Sequence, residues 1–117
     1  MLKLIIFISL LLFSCKDNGT PVSLNQNSSN YSDVQIIFDL NCLGCHNSTV
    51  SLGGLNLSTY ENIINSGSIV SGDALSSNLI DRITRFEGDG LLMPPSNRLS
   101  QDDIDIIIEW INNGALE

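Results

Sequence analysis

Apolar residues recur at the spacing of one helix face in four segments of the chain. In the first of these segments, residues 32–35 have the form of a capping box. Val34, Ile37 and Phe38 follow at helical spacing, so they form a face that can be buried. The pattern predicts a helix that runs directly into residues 42–46.

Three further helices are predicted downstream of the first. A second capping box at residues 58–61 begins a short helix that should end near Gly67. Residues 73–77 lead into a third helix, and residues 100–103 cap a fourth helix that should end at Gly114. The expected buried residues of the third and fourth helices are Leu79, Ile80, Ile83, Ile104, Ile107, Ile108 and Ile111. No segment has the alternation of a strand, so the sequence predicts a small all-α domain.

The amino-terminal segment has the pattern of an export signal. Lys3 supplies a positive start, and the apolar run of residues 4–13 is too short to span a bilayer comfortably. The run ends at residues 12–15, Leu-Phe-Ser-Cys, which resemble a bacterial lipobox. We expect residues 1–14 to be a lipoprotein signal peptide and Cys15 to carry the lipid. The alternative is an ordinary secretory leader that ends in a chance cysteine.

Residues 15–30 combine the lipidated cysteine with a polar stretch that has no apolar period. Such a composition predicts a disordered tether, and residues 31–117 then form one folded domain. The protein is therefore expected to be exported, as a periplasm-facing or cell-surface lipoprotein attached to the inner or outer membrane.

The charge of the chain is strongly acidic, with 5 basic and 13 acidic residues. Removal of Lys3 with the leader leaves 4 basic residues and a net charge of −9. This balance excludes binding to nucleic acid phosphates. It favours a redox partner with a basic docking surface, although negative charge also simply keeps a protein soluble.

The motif Cys42-Leu43-Gly44-Cys45-His46 is typical of covalent haem attachment. Two thiols at this spacing can each add across one haem vinyl group, and the adjacent imidazole is held under the iron as its proximal ligand. A thioredoxin-like dithiol would require alternating strands and helices, which the pattern lacks. A zinc site would need a fourth strong ligand, and the mature domain has no further cysteine or histidine.

The second axial ligand is predicted by elimination. His46 is the single histidine, and Met1 would leave with the leader, so Met93 is the one strong candidate in the domain. Pro94 and Pro95 stiffen its loop, and a thioether ligand raises the reduction potential of a haem. The alternative role of a lone methionine is to fill the core.

Five segments of the chain together resemble a known family. The resemblance is carried by residues 42–46, by the Gly-Gly-Leu-Asn-Leu-Ser-Thr-Tyr segment at 53–60, by residues 77–80, by Met93-Pro94-Pro95 and by the closing residues 99–115. Together they are similar to the planctomycete-type cytochrome c domain, over about residues 31–116. The resemblance implies a class I cytochrome c-like fold around haem c, attached at Cys42 and Cys45, with axial ligands His46 and Met93.

The chain departs from the family pattern in one place. Relatives usually have Val-Pro-Gly where this chain has Val70-Ser71-Gly72, which removes a rigid backbone acceptor for the far nitrogen of His46. Arg82 and Arg85 could pair with the haem propionates or could be solvated.

The expected function is that of a one-electron carrier, which requires no enzyme activity. The alternative is a haem protein with a labile Met93 ligand, which binds a small molecule or has weak peroxidase-like activity. A third possibility is an interaction module at the cell surface that binds no haem.

Overall fold

The structure is a computed structural model that describes residues 28–117. Within that range the chain forms four α-helices and one short 3-10 turn, with no strand. The α-helices are α1 (Tyr31–Asn41), α2 (Tyr60–Asn65), α3 (Asn78–Thr84) and α4 (Gln101–Asn112), and the 3-10 turn is Leu52–Gly54. The prediction of a small all-α domain is confirmed. The predicted signal peptide at 1–14, the lipid at Cys15 and the tether up to residue 27 lie outside the described residues.

Helix α1 begins two residues earlier than its sequence pattern predicts. The Asn30 side chain accepts a hydrogen bond from the backbone N–H of Asp33, and the Asp33 carboxylate accepts one from the N–H of Asn30, both at 3.2 Å. The capping box predicted at residues 32–35 is therefore wrong. Asparagine caps a helix as well as serine does. The Tyr31 ring also packs against Trp110, with 6.1 Å between the ring centroids.

The starts of α2 and α4 follow the predictions more closely. The Thr59 side chain accepts from the N–H of Asn62 at 3.3 Å, which places the cap one residue later than the predicted box. Gly67, with φ of +72°, lies just after the end of α2. At α4, the Ser100 hydroxyl accepts from the N–H of Asp103 at 3.1 Å, as the sequence indicates.

The core is built mainly by α1 and α3 packing against α4. Its largest fully buried side chains are Trp110, Phe38, Leu57, Ile63, Ile83, Ile104, Ile107 and Ile111. Trp110 donates through Nε1 to the carbonyl oxygen of Leu116 at 2.7 Å, and Tyr60 donates to that of Ala115 at 3.0 Å. These two bonds fold the carboxyl-terminal tail back onto the core. No helix within residues 28–117 is long and apolar enough to cross a membrane.

Residues ahead of α1 also belong to the packed structure. Ser29 is buried, and its hydroxyl donates to the Glu109 carboxylate at 2.6 Å. Asn113 donates through Nδ2 to the Ser28 hydroxyl at 3.3 Å. The packed structure thus begins before residue 31, the predicted start of the folded domain, because Ser28 and Ser29 contact α4 and the residue after it.

Candidate functional site

A cavity of about 310 Å³ lies between the carboxyl-terminal end of α1, one face of α3 and the loop that carries Met93. Much of its wall is apolar and consists of Leu52, Leu55, Leu57, Leu79, Ile83, Pro94 and Pro95. The cavity wall also contains Cys42, Cys45, His46 and Met93. The four residues that the sequence predicts for one site are therefore brought together, although Met93 is far from the other three in the chain.

The segment from Cys42 to His46 closes one helical turn directly after α1. The carbonyl oxygen of Cys42 accepts from the N–H of Cys45 at 3.1 Å and from that of His46 at 3.0 Å. Residues three and four positions apart share one side of such a turn. This local geometry explains why both thiols and the imidazole reach the same cavity.

The backbone around His46 is fixed by hydrogen bonds on both sides. The N–H of Leu57 donates to the carbonyl oxygen of His46 at 2.9 Å, and the N–H of Leu52 donates to that of Cys45 at 3.1 Å. Oδ1 of the Asn47 side chain accepts hydrogen bonds from the backbone N–H groups of Thr49 and Val50, at 2.8 Å each. The imidazole is thus presented by a rigid turn.

The two thiols differ in their surroundings. Cys42 is half-buried, and burial raises the pKa of its thiol to about 11. Cys45 is exposed and also lines the cavity, and both cysteines are free. A redox dithiol depends on a thiol with a lowered pKa, so the Cys42 environment argues against that alternative.

His46 has an unsatisfied nitrogen. Its Nδ1 atom is buried and has no hydrogen-bond partner among the described residues. This agrees with the expectation that the Val70-Ser71-Gly72 segment does not supply a rigid acceptor. The imidazole, two thiols and a thioether on an apolar wall fit a haem held by two thioether bonds and by axial nitrogen and sulfur. A zinc site finds no such fit, because no group of three or more His, Cys, Asp or Glu within residues 28–117 could hold a metal ion.

The loop that carries Met93 is attached to α3. The N–H of Met93 donates to the carbonyl oxygen of Arg82 at 2.9 Å, and Arg82 donates through Nη1 to the carbonyl oxygen of Leu91 at 3.3 Å. The Asp89 carboxylate accepts from the N–H of Leu91 at 2.7 Å. Met93 is half-buried and faces the cavity at the end of this anchored segment.

Helix α3 presents a distinct stripe to the cavity, formed by Asn78, Leu79, Arg82 and Ile83. The prediction that Leu79, Ile80 and Ile83 are the buried side of this helix is confirmed, and Ile80 is the one of the three that does not line the cavity. Three polar residues of the cavity wall, Asn41, Ser68 and Asn78, were not predicted. The four-residue spacing of Asn78 and Arg82 beside Leu79 is the signal that could have identified the α3 part of the wall.

Comparison with known proteins places these residues in a family. Residues 42–97 match the family model described as Planctomycete cytochrome C. The match begins at the first cysteine of the motif and extends past Met93, so it contains all four predicted haem-site residues. No curated protein and no solved structure shows a significant match to the chain.

Residues 42–97 are therefore those of a planctomycete-type cytochrome c domain, as the sequence resemblance predicts. The helices described above form a cytochrome c-like all-α fold around the cavity. The cofactor of this family is covalently bound haem c, so the predicted cofactor is confirmed.

Proposed function

We propose that this planctomycete-type cytochrome c domain is a one-electron carrier in which His46 and Met93 are the axial ligands of the haem iron. Cys42 and Cys45 are proposed to form the two thioether bonds. Support comes from one observation: all four side chains lie on the wall of a single, largely apolar cavity. A carrier needs nothing else at the iron, since an axial ligand on each side leaves no position for a substrate.

Each residue then has a defined task. The Cys42 and Cys45 thiols would hold the porphyrin through two thioether bonds, each made by addition of S–H across a vinyl C=C bond with no leaving group. The turn at residues 42–46 orients the imidazole, and the bond to Arg82 holds the Met93 segment. The bound cofactor supplies one-electron exchange, and a thioether ligand raises its reduction potential. The largely apolar wall suits contact with the apolar faces of a porphyrin.

Partner and location form a second part of the proposal. The acidic surface favours an electron donor or acceptor with a basic docking surface, because complementary charge speeds encounter. Cytochrome c domains of this kind are typically exported. The lipobox-like residues 12–15 suggest that Cys15 attaches the domain to a membrane through lipid.

Carbon monoxide binding tests the proposed ligation. We expect the purified, reduced protein to bind carbon monoxide slowly or not at all, because Met93 occupies the position that the gas requires. Rapid binding would contradict the six-coordinate carrier and favour the ligand-binding alternative. The spectrum of the denatured protein in alkaline pyridine should in parallel report one haem with two thioether bonds, and a colourless protein would refute the haem itself.

A further inference from the structure

Arg82 differs in charge from the other residues that line the cavity. Among the residues that line the cavity, it is the one with a permanent charge. The surrounding wall is largely apolar, and Arg82 itself is half-buried. A cation in such surroundings attracts an anionic group strongly, because the local dielectric is lower than that of water.

The charge of Arg82 is not used by a carboxylate of the protein. Within residues 28–117 both salt bridges are made by Arg85, to Asp81 at 2.8 Å and to Asp89 at 3.0 Å. The side chain of Arg82 makes one hydrogen bond there, from Nη1 to the carbonyl oxygen of Leu91 at 3.3 Å. A guanidinium has five N–H donors, so Arg82 retains donors for a further acceptor.

Two carboxylates of the protein, those of Asp81 and Asp89, could compete for the charge of Arg82. The pKa of the Asp89 carboxyl is lowered mainly by the N–H of Leu91 and further by Arg85, while Arg82 is the weakest of the contributing charges. Asp81 is exposed and paired with Arg85. Among the described residues, both carboxylates make their salt bridges with Arg85 and neither makes one with Arg82.

Haem carries two propionate carboxylates, and a planar guanidinium binds a carboxylate with two parallel hydrogen bonds. We propose that the Arg82 guanidinium receives a haem propionate, whereas Arg85 does not. This assignment rests on the haem c cofactor and is independent of the axial ligands in the proposed function. Arg82 thus becomes a cofactor-binding residue that also anchors the segment before Met93.

The test compares Arg82→Gln with Arg85→Gln in the full-length, haem-loaded protein. Both substitutions lie on or just after α3 and remove one positive charge. At a fixed solution potential near the midpoint, Arg82→Gln should lower the ratio of ferrous to ferric protein at least about threefold, because an uncompensated propionate favours the ferric state. Arg85→Gln should change that ratio much less, since its charge lies outside the cavity and is screened. Equal changes in the two variants would overturn the assignment.

An infrared measurement separates a direct contact from an effect on the Met93 loop. In the difference spectrum between ferrous and ferric protein, the propionate carboxylate band should shift in Arg82→Gln and stay in place in Arg85→Gln. A changed ratio with an unmoved band would mean that Arg82 acts through the loop, which overturns the proposal.

A charge-conserving variant keeps the test valid if Arg82→Gln fails to fold. Arg82→Lys should keep the ferrous-to-ferric ratio close to that of the unaltered protein. Its carboxylate band should still move, because an ammonium cannot make the paired hydrogen bonds of a guanidinium. An unmoved band in Arg82→Lys would overturn the proposal. Carbon monoxide binding, which tests Met93 ligation, is read independently of this band.

Discussion

The backbone N–H of Met93 donates a hydrogen bond of 2.9 Å to the carbonyl oxygen of Arg82, which joins the methionine loop to helix α3. The Arg82 side chain adds a second link to the same loop at Leu91. Because α3 also forms one wall of the cavity, these bonds hold the Met93 segment against the cavity that His46 also lines. The site is thus assembled by a helix and a loop that are close in sequence to each other and distant from the cysteine motif.

Met93→Ala should lower the reduction potential and create a rapid binding site for carbon monoxide in the reduced protein. The thioether favours ferrous iron, and its removal leaves an open axial position. The measurement is a redox titration together with the visible spectrum under carbon monoxide.

Leu92→Ala is the matched control for Met93→Ala. Leu92 lies next to Met93 and is buried, but it does not line the haem cavity. This variant should lose about 2–5 kcal/mol of stability without a change in carbon monoxide binding. An unchanged visible spectrum in Met93→Ala would show that Met93 is not a ligand.

Single substitutions of Cys42 or Cys45 by alanine should each leave one thioether bond. The pyridine spectrum of each variant should therefore move to that of a haem with one unsaturated vinyl group, and the double variant should release its haem to acidified organic solvent. Cys15→Ser is the control and should retain two thioethers. Retention of the haem by the double variant after extraction would rule out attachment at these positions.

Asp89→Asn should weaken the loop ahead of Met93 at neutral pH. The pKa of Asp89 is lowered mainly by the N–H of Leu91, with Arg85 contributing. A carboxyl whose pKa is lowered by folding stabilises the folded state at pH values above 3.8, its ordinary pKa. This contribution is lost as the pH falls through the lower pKa that the group has in the folded protein. The thermal midpoint of Asp89→Asn should accordingly lie below that of the unaltered protein at pH 7, and the difference should shrink in strong acid.

Asp81→Asn is the control for this loop effect. Asp81 also pairs with Arg85, but the structure gives it no hydrogen bond to the loop before Met93. Its midpoint should change less than that of Asp89→Asn, because exposed ion pairs contribute little. Equal effects of the two substitutions at pH 7 would assign the Asp89 effect to charge alone.

Asn30→Ala should destabilise the protein by about 1 kcal/mol, since it removes the cap of α1. Ser32→Ala should change stability by less than about 0.5 kcal/mol, because Ser32 lies inside the helix and is exposed. Urea unfolding of the two variants decides between the cap found in the structure and the cap at 32–35 that the sequence pattern indicates. A larger loss for Ser32→Ala would favour the sequence pattern.

Cys15→Ser should release the protein from membranes if a lipid is attached at that position. Cys15 lies outside the described residues, so this prediction rests on the lipobox-like pattern alone. Ser14→Ala keeps a small residue before the cysteine and should remain in the membrane fraction. Continued membrane retention of Cys15→Ser would place the anchor elsewhere.

The sequence by itself determined the features that depend on local spacing. The cysteine–histidine motif identified the cofactor because two thiols and an imidazole within one helical turn must share a side. The helical periods identified four amphipathic helices, and the one methionine other than Met1 identified one candidate ligand. Charge and the apolar amino-terminal segment added a prediction of export and of partner type.

The tertiary structure decided the features that depend on residues far apart in the chain. Helix α1 begins at Tyr31, with Asn30 as its cap, and the Tyr31 ring packs there against Trp110 of α4, a contact that no local pattern records. Arg82 and Arg85 look alike in sequence, three positions apart, yet one lines the cavity and the other is held by two carboxylates. The physical reason is that burial and pairing arise from packing between elements, whereas spacing alone fixes only which side chains share a face.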